Sequence, residues 1–162
     1  MLEPILQSVL ANKKIVLASS SPRRKEILQN LKLKFDVIPS KFDEDSLDQS
    51  KYPTQKDYVL DVAKHKVEAV FEDLKSKNKL PDVIIGADSV VELNNRLFGK
   101  PKNPEEAVEF LSLLNGKPHT VHTAVVIKTP TLSKNFVEST TVHMAPLEAD
   151  VIKAYVETKD PL

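Results

Sequence analysis

The chain has 162 residues, of which 41% are hydrophobic and 28% are charged, so one ordinary globular domain with a real core is expected. Basic and acidic residues each number 23, and the zero net charge argues against a general attraction to nucleic acid or to an acidic membrane. The absence of cysteine excludes disulfides, thiolate zinc sites and thiolate nucleophiles within this chain. No apolar run approaches the length of a membrane span, and residues 1–14 lack a signal-peptide core, so we expect a cytoplasmic protein.

Apolar periodicity and capping residues predict alternating helices and strands, which indicates an α/β domain. In the first half of the chain we predict a helix over residues 2–11, a strand over 15–18, a helix over 22–31, a strand over 35–38, an exposed acidic loop over 40–52 and a helix over 54–77. In the second half we predict a strand over 83–91, a hairpin turn at 94–95, a strand over 96–99, a helix over 103–115, strands over 120–128 and 136–145, and a helix over 147–157.

Three of the predicted helices carry apolar residues on one side. In the helix over 2–11 these are Ile5, Leu6, Val9 and Leu10. In the helix over 22–31, which begins at Pro22 after a serine cap, we expect burial of Ile27, Leu28 and Leu31. In the helix over 54–77 the stripe is Val59, Val62, Ala63, Val70 and Leu74. Lys66 falls on this last stripe, and by itself it is best explained as a lysine whose stem is buried while its ammonium reaches solvent.

The most informative residue is Asp88, which interrupts an apolar strand. Seven of the nine residues in 83–91 are apolar or glycine, and such a strand is usually covered on both faces. A carboxylate placed there must be paired, protonated or bound to a metal. Asp88 is therefore a catalytic or metal-binding group, or an unusual structural one. Gly86 removes a side chain two positions earlier, which would let a ligand or another backbone approach.

The turn from Ala18 to Lys25 delivers three serines and then Arg23 and Arg24 to a predicted helix N-terminus. Free amides and the positive end of the helix dipole make such a terminus an anion site, and arginine matches phosphate geometry. The segment is thus either a polyphosphate cradle or a capped surface helix with solvated arginines. It is not a Walker-type loop, because the glycines are missing.

Two further segments carry candidate charges. The acidic run 43–45 is ordinarily a solvated loop, but together with Asp88 it could supply oxygen ligands to Mg²⁺. Lys100 lies between glycine and proline in the segment 99–102, and alone it is an ordinary exposed lysine.

The histidines do not indicate a metal site. His119 and His122 lie on or near one predicted strand, where a spacing of three directs side chains to opposite faces. We therefore expect ordinary surface or hydrogen-bonded histidines. No spacing in the sequence supports a Ser-His-Asp arrangement. Considered together, the cations, the paired carboxylates and the one buried carboxylate suit hydrolysis of a polyphosphate.

Several motifs resemble those of one known family. The segment Leu17–Arg24, followed by Glu26–Leu28, closely resembles the opening signature of the Maf family of house-cleaning nucleoside triphosphate pyrophosphatases. Ile85–Val91 resembles the family's central motif, with Ser89 where threonine is usual. The remaining motifs follow in the expected order and are Phe42–Glu44, Ala63–Lys66, Gly99–Pro101 and Leu114–His119. The resemblance spans residues 14–162, and Val37–Phe42 is also similar to the Maf-like domain of acetylserotonin methyltransferase-like proteins.

The resemblance implies a fold, a reaction and a set of roles. The fold is a mixed twisted sheet flanked by helices, with a central cleft, as in inosine triphosphate pyrophosphatases. The reaction is hydrolysis between the α- and β-phosphates of a nucleoside triphosphate with Mg²⁺ or Mn²⁺. Asp88 is implied as the general base and as a metal ligand, and Glu44 as a metal ligand or a substrate contact. The implied substrate contacts are Ser19, Arg23, Arg24, Lys66, Ser89 and Lys100.

The family pattern continues with a segment containing Asp-Lys-Ala-Gly, which would follow Leu162. We expect residues 1–162 to form a single Maf-like domain without that segment. The leading hypothesis is a pyrophosphatase for pyrimidine or modified nucleoside triphosphates, and the resemblance implies a homodimer. The alternative is a weak or inactive nucleotide-binding or regulatory module on the same fold. Nucleic-acid binding is disfavoured by the neutral charge and the few aromatic residues.

Overall fold

The computed structural model describes residues 4–160. The helices are α1 Pro4–Leu10, α2 Pro22–Asn30, α3 Gln55–Ser76, α4 Pro104–Leu114 and α5 Ala149–Glu157. The strands are β1 Ile15–Leu17, β2 Asp36–Val37, β3 Val83–Leu93, β4 Arg96–Phe98, β5 His119–Lys128 and β6 Ser133–Val142. Within residues 4–160, no helix is both long enough and apolar enough to cross a membrane.

The six strands of the described range form one mixed sheet. Their order is β2-β1-β3-β5-β6, and β4 pairs with β3 off this path. β1 is parallel to both of its neighbours, so that Val16 lies opposite Asp36 in β2 and opposite Ile84 in β3. β4 is antiparallel to β3, with Val91 opposite Phe98. The mixed sheet and its helices confirm the predicted α/β class.

The chain forms two compact units. The first comprises the residues up to Asp88 together with Ala124–Val137. The second comprises Ser89–Thr123 together with the residues from Glu138 onwards. The boundary between the two units therefore falls inside β3, between Asp88 and Ser89.

The core of the first unit lies between α3 and the parallel strands. The whole predicted stripe of α3 is buried, which confirms the helical periodicity. A Cβ atom built on Gly86 in β3 would collide with the side chain of Val67 in α3. The glycine therefore allows a helix side chain to approach the strand, whereas the sequence suggested the approach of a ligand or backbone.

The second unit is built on α4, α5 and the β3–β4 hairpin. Asn94 and Asn95 both have positive φ, which is typical of the tight turn predicted there. The rings of Phe98 and Phe110 pack edge to face, with their centroids 5.2 Å apart. Helices α4 and α5 pack together within this unit.

The helices α2, α3 and α4 begin where the sequence analysis predicted. Ser21 caps α2 with Pro22 in its first turn, Thr54 caps α3, and Asn103 caps α4. Each cap side chain accepts a hydrogen bond from a first-turn N–H that no helical carbonyl can satisfy.

The expected burial along α2 is wrong. Helix α2 has no buried residue, and Ile27 is 60% exposed. Leu28 and Leu31 are partly exposed, and the contacts that the first turn of this helix makes with β3, described below, are polar. The apolar side of α1 is exposed as well, with Ile5 78% exposed, and the predicted positions 2 and 3 lie outside the described residues.

Among the strands, β2 and β6 differ most from the prediction. β2 is only two residues long, although the Ile38 N–H still donates to the Leu17 carbonyl. β6 begins at Ser133, three residues before the predicted start at 136. The cause is a tight turn after β5, in which the Thr129 hydroxyl accepts from the Leu132 N–H at 3.0 Å.

Candidate active site

Asp88 is buried and paired with a cation. Its side chain lies in the middle of β3, and the residue is 7% exposed. The Lys66 ammonium, which projects from α3, donates to Asp88 Oδ1 at 2.7 Å. The pairing satisfies the requirement that a carboxylate in an apolar strand be compensated. Lys66 is therefore directed at Asp88, and the expectation that its ammonium merely reaches solvent is wrong.

The environment shifts the protonation of Asp88. Burial raises the pKa of the Asp88 carboxyl above its ordinary value, because the charged form loses solvation. The hydrogen bond and the charge of Lys66 pull this pKa back down, the charge of Glu44 raises it, and Arg24 lowers it slightly. The result is a carboxylate that stays close to its cation and has a higher proton affinity than a solvated aspartate.

Glu44 shares the same lysine. Its Oε1 lies 2.5 Å from Lys66 Nζ, and its side chain is 49% exposed. Glu44 begins a short 3-10 helix, Glu44–Ser46, which Asp43 caps by accepting from the Asp45 N–H. The acidic loop is therefore exposed, as predicted, and it also delivers one carboxylate to the Lys66–Asp88 pair.

The turn after β1 is tied to the strand that carries Asp88. Arg24 donates to the carbonyl of Ala87 at 2.7 Å and to the Ser19 hydroxyl at 3.3 Å. Ser19 Oγ also accepts from the Ser21 N–H. Because β1 and β3 are parallel and in register, the start of α2 lies next to the Asp88 position. Arg24 is thus partly buried and directed inward, whereas Arg23 is exposed on the same turn.

Ser89 and Lys100 belong to the second unit. Ser89 Oγ lies 2.9 Å from Thr123 Oγ1, so the two hydroxyls share a hydrogen bond. Lys100 is exposed and follows β4. Of the predicted site residues, the first unit brings together Ser19, Arg24, Glu44, Lys66 and Asp88.

Glu44 and Asp88 are two carboxylates that meet at Lys66, and both place an oxygen against its ammonium. A divalent cation held by them would lie beside this ammonium and not at the point that it occupies. Mg²⁺ is commonly held by one or two carboxylates together with substrate phosphates, and two converging carboxylates match that pattern. Among residues 4–160 there is no cluster of three or more histidine, aspartate or glutamate side chains that could hold a metal by itself.

Sequence reasoning missed several side-chain contacts. Phe42 packs on His65 in the first unit, with ring centroids 4.9 Å apart. In the second unit the buried His122 contacts Ser139 through Nδ1 and Glu92 through Nε2, both at 2.8 Å. Ser139 and Glu92 are 17 and 30 residues away from His122 in the sequence, so no local pattern could have revealed these contacts. His119 and His122 are both hydrogen-bonded, as expected, but they are buried and not on the surface.

Comparison with known proteins identifies relatives along most of the chain. A "Nucleoside triphosphate pyrophosphatase" of Dictyostelium discoideum is 44% identical over 155 residues, which are 92% of this chain and 71% of that protein. A "dTTP/UTP pyrophosphatase" of Bacillus cereus is 39% identical over 150 residues, covering 93% of this chain and 74% of that protein.

A human protein is similar along one part of its length. It is named "Probable bifunctional dTTP/UTP pyrophosphatase/methyltransferase protein" and is 37% identical over 168 residues. The match covers 98% of this chain but only 27% of the human protein. Finally, the family model described as "Maf-like protein" matches residues 14–162, the same range over which the motifs resemble that family. The chain therefore belongs to the Maf-like protein family.

Proposed function

We propose that this chain hydrolyses nucleoside triphosphates to nucleoside monophosphate and pyrophosphate. The observation that carries the proposal is the buried Asp88 carboxylate, held 2.7 Å from Lys66 beside the serine-arginine turn. A compensated carboxylate next to a cluster of phosphate-binding groups is suited to activating water for attack on a phosphoryl group. The names of the Dictyostelium and Bacillus relatives support the same reaction.

Asp88 is the general base in this proposal. Its carboxylate accepts a proton from water as the water oxygen bonds to the α-phosphorus. The bond between the α-phosphorus and the bridging oxygen breaks, and that oxygen leaves with the pyrophosphate. The raised pKa of Asp88 favours this role, because a more basic carboxylate is a better proton acceptor while Lys66 still stabilises its charged form.

The phosphates are held by the groups around the start of α2 and by lysines. Ser19 Oγ already accepts two hydrogen bonds, so its own proton is available for a phosphate oxygen. Arg23 is exposed on the first turn of α2, where the helix dipole favours an anion. Lys66 and Lys100 complete the proposed set of phosphate contacts.

Glu44 and Asp88 would hold the divalent cation, Mg²⁺ or Mn²⁺, which supplies neutralisation of phosphate charge. Lys66 contacts both carboxylates and so holds them near each other. Arg24 anchors the backbone just before Asp88, so that the base and the α2 turn keep a fixed spacing.

The proposed substrates are pyrimidine nucleoside triphosphates. The name of the Bacillus cereus relative, dTTP/UTP pyrophosphatase, motivates this choice. Ser89 and Arg24 are the residues proposed to contact the substrate and set the preference. A homodimeric state belongs to the same proposal and comes from the family resemblance, whereas the proposed cytoplasmic location comes from the sequence features of the N-terminal residues and apolar runs described above.

The experiment is a pyrophosphate-release assay with dTTP, UTP, dCTP, CTP, ATP and GTP, each with Mg²⁺ or Mn²⁺. We expect one equivalent each of monophosphate and pyrophosphate, with dTTP and UTP turned over fastest. Release of orthophosphate would contradict the assigned bond cleavage. Nucleotide binding by calorimetry without any product would instead identify a non-catalytic binding module.

A further inference from the structure

The acidic segment 42–52, here called the strap, is exposed and yet tied to α3 at both ends. It contains only two short 3-10 turns, Glu44–Ser46 and Gln49–Lys51, and most of its residues are exposed. Exposed segments of this kind are usually mobile unless specific contacts hold them. In this protein, the aromatic residues Phe42 and Tyr52 hold the strap by packing on α3.

The first anchor is Phe42 on His65. The two ring centroids are 4.9 Å apart, and the planes are tilted by 48°. This separation is within the range at which aromatic rings attract each other beyond simple burial. His65 is itself held, because its Nδ1 lies 3.0 Å from the Asp61 carbonyl oxygen one turn earlier in α3. The anchor therefore rests on a ring whose orientation is already restricted.

The second anchor is Tyr52, nearer the start of α3. Its hydroxyl donates to Asp61 Oδ2 at 2.6 Å, and its ring packs edge to face against Tyr58 at 5.3 Å. The hydrogen bond to Asp61 raises the pKa of Tyr52 to about 12, so the hydroxyl remains a donor throughout the neutral range. Tyr58, Asp61 and His65 are spaced i, i+3 and i+7, which places them along one side of the helix.

The strap is also ordered internally. Asp43 accepts from the Asp45 N–H at 3.1 Å, and its carbonyl accepts from the Ser46 hydroxyl at 2.6 Å. Asp48 accepts from both the N–H and the hydroxyl of Ser50. The strap therefore consists of two capped turns, and its two ends are fixed to α3 by Phe42 and Tyr52.

Glu44 lies between the anchors, two residues after Phe42, and its carboxylate meets Lys66, the residue after His65. We propose that Phe42 is a positioning residue whose contact with His65 fixes the strap so that Glu44 is presented beside Asp88 for divalent cation binding. The inference rests on the proposed function, since it assigns Glu44 to the cation. Without the anchor, a half-exposed glutamate would lose side-chain and backbone freedom each time the cation binds.

The test is a double-mutant cycle on Mn²⁺ binding without nucleotide, measured by electron paramagnetic resonance. Glu44→Ala should weaken Mn²⁺ binding, and Phe42→Ala should raise the Mn²⁺ Kd about tenfold, as loss of a supporting residue typically does. In the Glu44→Ala background, Phe42→Ala should have no further effect, because the residue that it positions is already absent. Phe42→Tyr keeps the ring and should bind Mn²⁺ as the wild type does.

A second measurement reports on the strap without any metal. Hydrogen exchange of residues 43–51 should become faster in Phe42→Ala while α3 remains protected, which also shows that this variant is folded. Phe136→Ala removes an aromatic ring that is 54% exposed in β6, and it should change neither measurement.

The outcomes distinguish a failure of the positioning role of Phe42 from a failure of the proposed reaction. Wild-type Mn²⁺ affinity in Phe42→Ala, with weakened affinity in Glu44→Ala, would overturn the positioning role alone. An equal loss from Phe42→Ala in both backgrounds would do the same, since it would show an effect that bypasses Glu44. Unchanged affinity in Glu44→Ala, or no Mn²⁺ binding by the wild type, would overturn both the cation role of Glu44 and the positioning role of Phe42. Absence of pyrophosphate release by the wild type, with the Mn²⁺ cycle as expected, would contradict only the proposed reaction.

Discussion

Lys66 Nζ lies 2.7 Å from Asp88 Oδ1, so two residues that are 22 positions apart, one on α3 and one on β3, form one buried ion pair. Burial alone raises the pKa of Asp88, and Lys66 opposes that shift. The lysine therefore increases the ionised fraction of the proposed base at a given pH, against the larger effect of burial. Four predictions depend on this pair and on the packing that places it.

Asp88→Asn should abolish turnover while preserving the fold. The amide has the same shape but cannot accept the proton of the attacking water, and loss of a general base typically lowers kcat about 10²- to 10⁴-fold. Pyrophosphate release and the circular dichroism melting curve are the measurements. Asp73→Asn, which alters a half-exposed aspartate of α3 paired with Lys77, is the matched control and should keep full activity. Wild-type kcat in Asp88→Asn would remove Asp88 from the role of base.

The pH profile should report the raised pKa of Asp88. Below its pKa the carboxyl is protonated and cannot accept a proton, so kcat/KM should fall as the pH is lowered. Because burial raises this pKa, the midpoint of the fall should lie above the ordinary value of 3.8. Titration of the Asp88 carboxyl carbon by NMR should give the same direction in the free protein. A midpoint at or below 3.8 by both methods would contradict the desolvated environment.

Lys66→Met should lower activity in a pH-dependent manner. Removal of the ammonium takes away a proposed phosphate contact and the cation that favours ionised Asp88. Loss of one such electrostatic contact typically costs about 10²- to 10³-fold in kcat. The pKa of Asp88 should rise further, so part of the loss should be recovered at higher pH. Lys64→Met, two residues away and exposed on α3, is the control. A loss of the same size at every pH would show that Lys66 does not influence the ionisation of Asp88.

Gly86→Ala should destabilise the first unit. The added methyl group would collide with Val67, and overpacking of a core typically costs about 1–3 kcal/mol. Urea unfolding measures this cost. Gly99→Ala is the matched control, because nothing lies within 4 Å of a Cβ atom at that position. In the double variant Gly86→Ala/Val67→Ala, the alanine at 86 should cost less than it does alone, since the clashing group is gone. Equal costs in both backgrounds would show that Val67 is not the obstacle.

Local signals in the sequence identified the elements well. Ser21-Pro22, Thr54 and Asn103 each mark a helix start in the expected place, because a cap acts on amides within one turn of itself. The stripe on α3 is buried as predicted, because a long helix with one apolar side has only one way to cover it. The same reasoning failed for α2, where Ile27 is exposed and the contacts of the first turn with β3 are polar.

The sequence by itself determined the class of the fold, the family and the identity of the unusual carboxylate. The charge of Asp88 in an apolar strand must be paired or neutralised whatever surrounds the strand, and the neighbouring residues in the sequence are enough to show this. Only the tertiary structure decided that Lys66 is the compensating cation, that Glu44 shares it, and that Phe42 and Tyr52 tie the acidic segment to α3. The physical reason is that helix and strand periodicity specify which face a side chain occupies, whereas its partner across the core depends on how α3 crosses the sheet. That crossing is set by non-local packing, such as Val67 against Gly86, which no short stretch of sequence encodes.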